Sequence, residues 1–336
     1  MSIIYYLDFG GKAPYYEGLA HAHLLLKRIF TVEKSEKIWI DGKFVPWHEA
    51  NIHILTHTLH YGMGVFEGIR CYQTKKKKSA VFRLQEHVDR LFNSAAIMGI
   101  EIPFSNKEIF NTILRVVREN KLDECYIRPI VFLGHNKMGL NPNGVDVRVA
   151  IAAWPWGAYL GDDGLNKGIR VRISSFTRHH VNITMTKAKA CGYYINSILA
   201  KAEAVQDGYD EAILLDPQGY VSEGSGENIF LLSHGRLKTP ALSCANLEGI
   251  TRDSVVQICK HLKIELEEGL ITRDELYIAD EVFLTGTAAE ITPVREIDNR
   301  TIGNGKKGKT TARIQKMFFE IVRGNHAKFK KWLAEV

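Results

Sequence analysis

Cysteine is scarce in this chain and never clustered. Five occur in 336 residues, at Cys71, Cys125, Cys191, Cys244 and Cys259, with no Cys-x-x-Cys. An odd number at wide spacing argues against a disulfide framework or zinc knuckle and fits a reducing, cytoplasmic setting. His-Glu-x-x-His is missing too. His53, His57 and His60 have helical spacing but no carboxylate or cysteine at ligand spacing, so packing or interface roles are expected and a metal is not. No apolar run approaches the roughly 20 residues of a membrane span, so no membrane association is expected. Prolines number only nine, and the composition is that of a globular protein rather than a fibre or a disordered chain. The net charge is a modest +6, much of it in Lys75–Lys78 and in Lys306–Lys309, which Gly308 interrupts. Both runs are flanked by turn-like residues and predict solvated loop tips, not a nucleic-acid surface.

The first 36 residues are unlike the rest. Leu24-Leu25-Leu26 is followed, not preceded, by Lys27-Arg28, the wrong order for a secretory signal. Residues 1–36 are therefore expected to be an N-terminal extension, with no role assigned.

Strand and helix periods alternate thereafter. Lys37-Ile38-Trp39-Ile40 and Phe44-Val45 flank Asp41-Gly42, a hairpin signal. Apolar residues recur at helical spacing from Glu86 to Met98, and Ser105-x-x-Glu108 is a capping box for a second helix. Tyr126–Leu133 and Val145–Ala153 read as strands. Residues 154–168, rich in glycine and aromatics, have no regular period and predict a linker. Beyond it come a strand over Ile169–Ser175, a helix from Tyr194 to near Gly208, and strands over Glu211–Leu215, Asn228–Leu232 and Glu281–Thr285. Helices are expected after Thr251 as N-cap, after the Thr272-x-x-Glu275 box, and around Ile314–Ile321, closed by Gly324. The expected fold is α+β in two domains, 37–153 and 169–336, joined by the loop 154–168.

Four constellations carry chemistry. Lys187-Ala188-Lys189-Ala190-Cys191-Gly192 places lysines among small residues, leaving room for a flat ligand beside an amine able to attack a carbonyl. Ser222-Glu223-Gly224-Ser225-Gly226-Glu227-Asn228 offers two acids, either able to hold a proton on a ring nitrogen, and glycines that let backbone approach a ligand. Gly249-Ile250-Thr251 at a helix start and Gly286-Thr287-Ala288-Ala289 at a strand end both present amides suited to anions. Taken singly, each is equally well a surface lysine, a tight turn or an ordinary cap. Together they make the parts list of a phosphorylated aldehyde cofactor.

In order and spacing, His60-Tyr61-Gly62, Val65–Tyr72, Tyr126-Ile127-Arg128-Pro129, Trp156–Gly161, Ser222–Asn228, Gly249–Asp253 and Gly286–Val294 match one family. From about Lys37 onward the chain resembles the branched-chain amino-acid aminotransferases, the fold-type IV class of pyridoxal-phosphate enzymes. The resemblance implies that Lys189, not Lys187, binds the cofactor, that Glu223 faces its ring nitrogen and that Tyr194 faces its phenolic oxygen. It implies phosphate contacts from Arg90, Ile250, Thr251 and Thr287. The substrate carboxylate would meet Thr287, Ala288 and Tyr126. The substrate side chain would meet Phe66, Trp156, Tyr159, Tyr194 and Ala289, with Tyr61 and the Met138–Leu140 loop supplied by a partner subunit. Arg128 would meet the distal carboxylate of glutamate. The implied activity is transfer of the amino group of leucine, isoleucine or valine to 2-oxoglutarate by a homodimer or an assembly of dimers. A D-amino-acid aminotransferase or an aminodeoxychorismate lyase would share Lys189 and Glu223. Cys191, Tyr193 and Glu248 depart from the commonest family pattern without removing a group the chemistry needs.

Overall fold

The structure is a computed structural model that describes residues 32–157 and 160–336. The expectations for residues 1–31 and for Tyr159 therefore lie outside the described residues.

The first sheet contains β1 (Lys37–Ile40), β2 (Lys43–Pro46), β3 (Gly64–Phe66), β4 (Ile69–Gln73), β5 (Ser79–Phe82), β6 (Cys125–Leu133) and β7 (Val147–Trp154). Asp41 and Gly42, with φ of 46° and 94°, form the two-residue turn joining β1 to β2, as their sequence predicts. Strand β6 pairs with β7 over Tyr126–Leu133, and on its other edge with β3 and then β4. Pro129 sits inside β6, where a proline removes a ladder donor. It lies opposite the Glu67-Gly68 break between β3 and β4, where only its carbonyl is needed, to accept from the Glu67 amide at 2.9 Å.

Short helix α1 (His57–Tyr61) precedes β3, and α2 (Leu84–Ile97) and α3 (Asn106–Glu119) cover one face of the sheet. Leu84, Val88 and Leu91 from α2 and Ile109, Ile113 and Val117 from α3 are fully buried against Ile127, Val131 and Ile151. Burying each such side chain stabilises the fold by roughly 1.5–3 kcal/mol. The Ser105–Glu108 capping box is formed. In α1, the His57 ring bonds to the Gly139 carbonyl and the His60 ring to that of Ile54, while His53 lies outside the helix. No metal-binding cluster of His, Cys, Asp or Glu occurs among the described residues.

Residues expected to be an irregular linker include α4 (Gly161–Lys167), whose Lys167–Asp163 pair spans one turn at 3.0 Å. Its only apolar residue is Leu165, too little for a periodic signal, and its packing against the second sheet makes it helical. That sheet holds β8 (Ile169–Ile173), β9 (Glu211–Leu215), β10 (Val221–Gly224), β11 (Asn228–Ser233), β12 (Arg236–Pro240), β13 (Leu266–Gly269), β14 (Glu281–Gly286), β15 (Glu290–Ile297) and β16 (Arg300–Thr301). Its order is β10-β9-β8-β15-β14-β11-β12-β13, with β16 beside β15. Parallel pairs β8–β9, β8–β15 and β12–β13 lie among antiparallel ones.

The remaining helices are α5 (Tyr194–Gln206), α6 (Ile250–Leu262), α7 (Arg273–Tyr277) and α8 (Lys309–Val322). Helices α6 and α8 bury Val255, Ile258, Ile314 and Phe318 against Phe230 and Phe283 of the sheet. Thr251, expected as an N-cap, is instead the second residue of α6. Gly249 is the cap, because its extended backbone lets the helix begin two residues earlier. After α8 the chain forms a 3-10 turn, Ala327–Trp332, and ends in β17 (Leu333–Glu335), which pairs with β5 of the first sheet. Among the described residues, no helix is long and apolar enough to cross a membrane.

Candidate active site

The four constellations meet in one cleft, together with Phe66, Gly68, Arg90, Tyr126, Arg128, Trp156, Arg178 and Tyr194. Lys189 is fixed there by its backbone. Its amide donates to Ser94 Oγ of α2 at 3.0 Å, and its carbonyl accepts from Phe66 of β3 at 3.1 Å. Buried Ala188 and Ala190 flank it. The Lys189 ammonium points into the cleft, 2.5 Å from the Tyr194 hydroxyl. Lys187 turns away and donates to the Leu242 and Asn246 carbonyls at 2.6 and 3.2 Å. Of the two lysines that the local sequence left open, Lys189 is the one that offers its amine to the cleft.

Of the two acids in the glycine-rich strand-turn, Glu223 has the stronger anchors. Its carboxylate lies 2.9 Å from Arg178 Nε and accepts from the Leu247 amide at 3.0 Å. Burial pushes its carboxyl up, and Arg178 and the Leu247 amide only partly oppose that. A cation beside it would be favoured. Glu227 also lines the cleft, but its carboxylate turns to the Gly226 amide at 3.0 Å. Burial and the neighbouring Glu211 raise its carboxyl.

The amides of Ile250 and Thr251 are the first of α6, where helix geometry leaves N–H groups without partners inside the helix. A Cβ on Gly249 would meet Asn228 Oδ1 at 1.9 Å, so only glycine lets this turn close on Asn228. Arg90 reaches the same turn from α2 and donates to the Glu248 carbonyl at 2.9 Å. Its Nε and second terminal nitrogen are gripped by buried Glu67, at 2.7 and 2.9 Å. Thr287 and Ala288 lie in the turn from β14 to β15 and line the cleft; Ala289 is buried behind them.

Phe66, Tyr126, Trp156 and Tyr194 form an aromatic wall, with Phe66–Tyr194 and Tyr126–Trp156 centroids 4.9 and 4.4 Å apart. Arg128 stacks 4.7 Å over Phe66, and its buried Nε finds no partner among the described residues, nor does Thr285 Oγ1. Orphaned polar atoms beside a cleft are what a polar ligand would satisfy. Tyr61, Met138 and Leu140 are exposed and do not line this cleft. Cys191 has its thiol pushed up to about 11, chiefly by burial, so it is not a reactive thiolate at neutral pH.

Three residues of the site escaped sequence reasoning: Glu67, Arg70 and Arg178. Buried Arg70 donates to the carbonyls of Trp156 (2.9 Å), Gly157 (3.1 Å) and Ala288 (3.5 Å), holding the aromatic loop to the β14–β15 turn. Glu67 and Arg70 lie within the Val65–Tyr72 segment that carries the resemblance, and that was the signal available for them.

The family model described as amino-transferase class IV matches residues 64–297. The chain belongs to the class IV aminotransferases. It is 55% identical to the branched-chain-amino-acid aminotransferase of Pseudomonas aeruginosa over 89% of this chain and 97% of that one. Identity to the Escherichia coli enzyme of that name is 46%, over 91% and 99%. Among solved structures, the Escherichia coli branched-chain amino acid aminotransferase superposes with a TM-score of 0.88, covering 90% of this chain and 99% of that one. The Thermobaculum terrenum enzyme in its PLP form, 33% identical with the same coverage, gives 0.85. The fold is thus the fold-type IV aminotransferase fold expected from the sequence. As a class IV aminotransferase, this chain is an enzyme that uses pyridoxal phosphate. The cleft fits that cofactor: an amine, a buried carboxylate able to face a ring nitrogen, and helix-start amides for an anion.

Proposed function

We propose that this aminotransferase moves the amino group of leucine, isoleucine or valine to 2-oxoglutarate, releasing a branched 2-oxo acid and glutamate. The carrying observation is a single arginine, Arg128, set in an otherwise aromatic wall. One pocket must accept a branched apolar side chain in one half of the cycle and a carboxylate in the other, and that combination suits both. The names of the relatives point the same way.

Pyridoxal phosphate, when bound, supplies the sink for the electron pair left when the α-proton departs. The chain's residues do the rest. The Lys189 amine would take the proton from the substrate α-carbon and hand it on to the cofactor carbon across the amino nitrogen. A positioned base of this kind contributes about 10²–10⁴-fold. Tyr194 holds that amine in line, and Glu223 keeps a proton on the ring nitrogen. Ile250, Thr251, Thr287 and Arg90 hold the phosphate. Thr287, Ala288 and Tyr126 receive the substrate carboxylate, and Phe66, Trp156 and the Ala289 turn enclose the side chain.

The partner of each cleft is a second copy of this chain, bringing Tyr61 and the 138–140 loop. Tyr61 and Leu140 are 45% and 86% exposed, free to reach across to a neighbouring copy. The enzyme works in the cytoplasm, a setting its five free cysteines suit.

A coupled assay with a panel of amino donors and 2-oxoglutarate tests the substrate. The three branched L-amino acids should lead it, and equal or better turnover of D-alanine would overturn the assignment. Lys189→Ala should bind no cofactor covalently and lose its yellow colour.

A further inference from the structure

Helix α2 grips the proposed phosphate turn at two points, and only one of them lines the cleft. Arg90 is that one. The other is Arg83, the residue that caps α2 from outside the cleft. Its backbone is left-handed, φ 49° and ψ 43°, a conformation that a non-glycine residue takes where its surroundings over-determine it. Those surroundings are specific. One terminal nitrogen of Arg83 lies within hydrogen-bond distance of the Ile250 carbonyl (3.3 Å), the Asp253 carboxylate (2.5 Å) and Ser254 Oγ (3.1 Å), all at the start of α6. Its Nε donates to Glu86 at 2.8 Å. Its amide donates to the Trp332 carbonyl at 2.6 Å, and its guanidinium stacks 4.8 Å over the Trp332 ring. Arg83 is 9% exposed.

We propose that Arg83 is a positioning residue for cofactor phosphate: it locks the Ile250–Ser254 turn between the start of α2 and the C-terminal Trp332. The physical reason is that an anion bound by backbone amides depends on their direction. Ile250 is the residue whose carbonyl Arg83 holds and whose amide opens the helix beside the cleft. The same side chain ties the end of the chain to that turn, so the C-terminal segment supports cofactor binding without touching it. This rests on the assignment of Ile250 and Thr251 to phosphate.

The test uses the full-length chain, its Arg83→Met variant and its Asp253→Asn variant. Three quantities are read: the pyridoxal phosphate dissociation constant by absorbance titration, the ³¹P resonance of the bound phosphate, and the melting temperature of the cofactor-free chain. Arg83→Met should weaken binding on the order of tenfold, the lower end of what outer partners of a bound ion contribute, and should move the ³¹P resonance. Asp253→Asn, at a half-exposed position that tolerates the change, should weaken binding by a smaller factor in the same direction. An unchanged dissociation constant and resonance in Asp253→Asn, or in Arg83→Met with only a lower melting temperature, would reduce Arg83 to a structural residue and overturn the proposal. Failure of the unaltered chain to bind pyridoxal phosphate would strike the reading of the site instead.

Discussion

Glu67 and Arg90 meet at two points, 2.7 and 2.9 Å, with the carboxylate completely buried and its inner oxygen also 2.7 Å from His87 Nδ1. This pair sits where the first sheet breaks between β3 and β4, and it aims the arginine at the turn that begins α6. Burial alone would push the Glu67 carboxyl up. Arg90 and His87 together outweigh it and hold it well below the ordinary range.

Removing that charge should be costly. In Glu67→Gln the buried guanidinium of Arg90 loses its counter-ion, and breaking such a pair costs about 3–5 kcal/mol. Urea unfolding should show a drop of that order, and a loss under about 1 kcal/mol would mean that solvent reaches the pair.

The same cluster fixes a pH dependence. Glu67 titrates below the usual 4.5, and His87 below the usual 6.5 because burial disfavours its charged form more than Glu67 favours it. In both cases the unfolded chain binds protons more readily than the folded one. This part of the stability is therefore complete above pH 6.5 and falls on acidification, first through His87 and then, below 4.5, through Glu67 as well. The urea midpoint should decline from pH 7 to pH 4, and Glu67→Gln should flatten the lower part of that decline. A midpoint that rises with acid would contradict the assignment.

Glu223→Gln keeps the shape of the side chain and removes its charge. Turnover should fall on the order of 10²-fold, the scale of losing one preorganised electrostatic partner, with an altered absorption band for the bound cofactor. A variant within twofold of the parent would show that Glu223 does not govern the ring nitrogen.

Arg128→Leu should split the two substrates. A hydrogen bond to a charged group is worth about 1.5–3 kcal/mol, so kcat/KM for 2-oxoglutarate should drop about tenfold to a hundredfold while that for leucine changes far less. Equal losses for both would place Arg128 in the general architecture of the pocket, not in recognition of the distal carboxylate.

Gly68→Ala probes a close approach. A Cβ there would lie 1.9 Å from the Tyr126 hydroxyl, so the tyrosine must move away from its proposed place at the substrate carboxylate. The expected result is a fall of about tenfold in kcat/KM for leucine, since a shift of this kind costs near 1.4 kcal/mol per factor of ten. Unchanged kinetics would take Tyr126 out of the site.

Much of the site was legible before folding because its chemistry depends on residue type within short stretches. A lysine between alanines, an acid among glycines and a glycine-led helix start are local patterns, and each appears in the cleft. The hairpin at Asp41-Gly42 and the capping boxes at Ser105 and Thr272 formed for the same reason: their bonds close within four residues. The N-cap of α6 was misplaced by two residues because Gly249, with no side-chain acceptor, gives no capping signal.

Tertiary structure decided what lies far apart in the chain. By residue type and local spacing Lys187 and Lys189 are equivalent, and in space the partners at Leu242, Asn246, Ser94 and Tyr194 separate them. Glu67, Arg70, Arg83 and Arg178 resemble any surface charges until the sheets bury them against acids and carbonyls distant in sequence. The helix at Gly161–Lys167 and the final strand exist because the sheets they pack on are there. By itself the sequence determined the inventory of reactive groups and the local turns that present them. The fold decided which charge is buried beside which, because desolvation and ion pairing depend on distance in space and not along the chain.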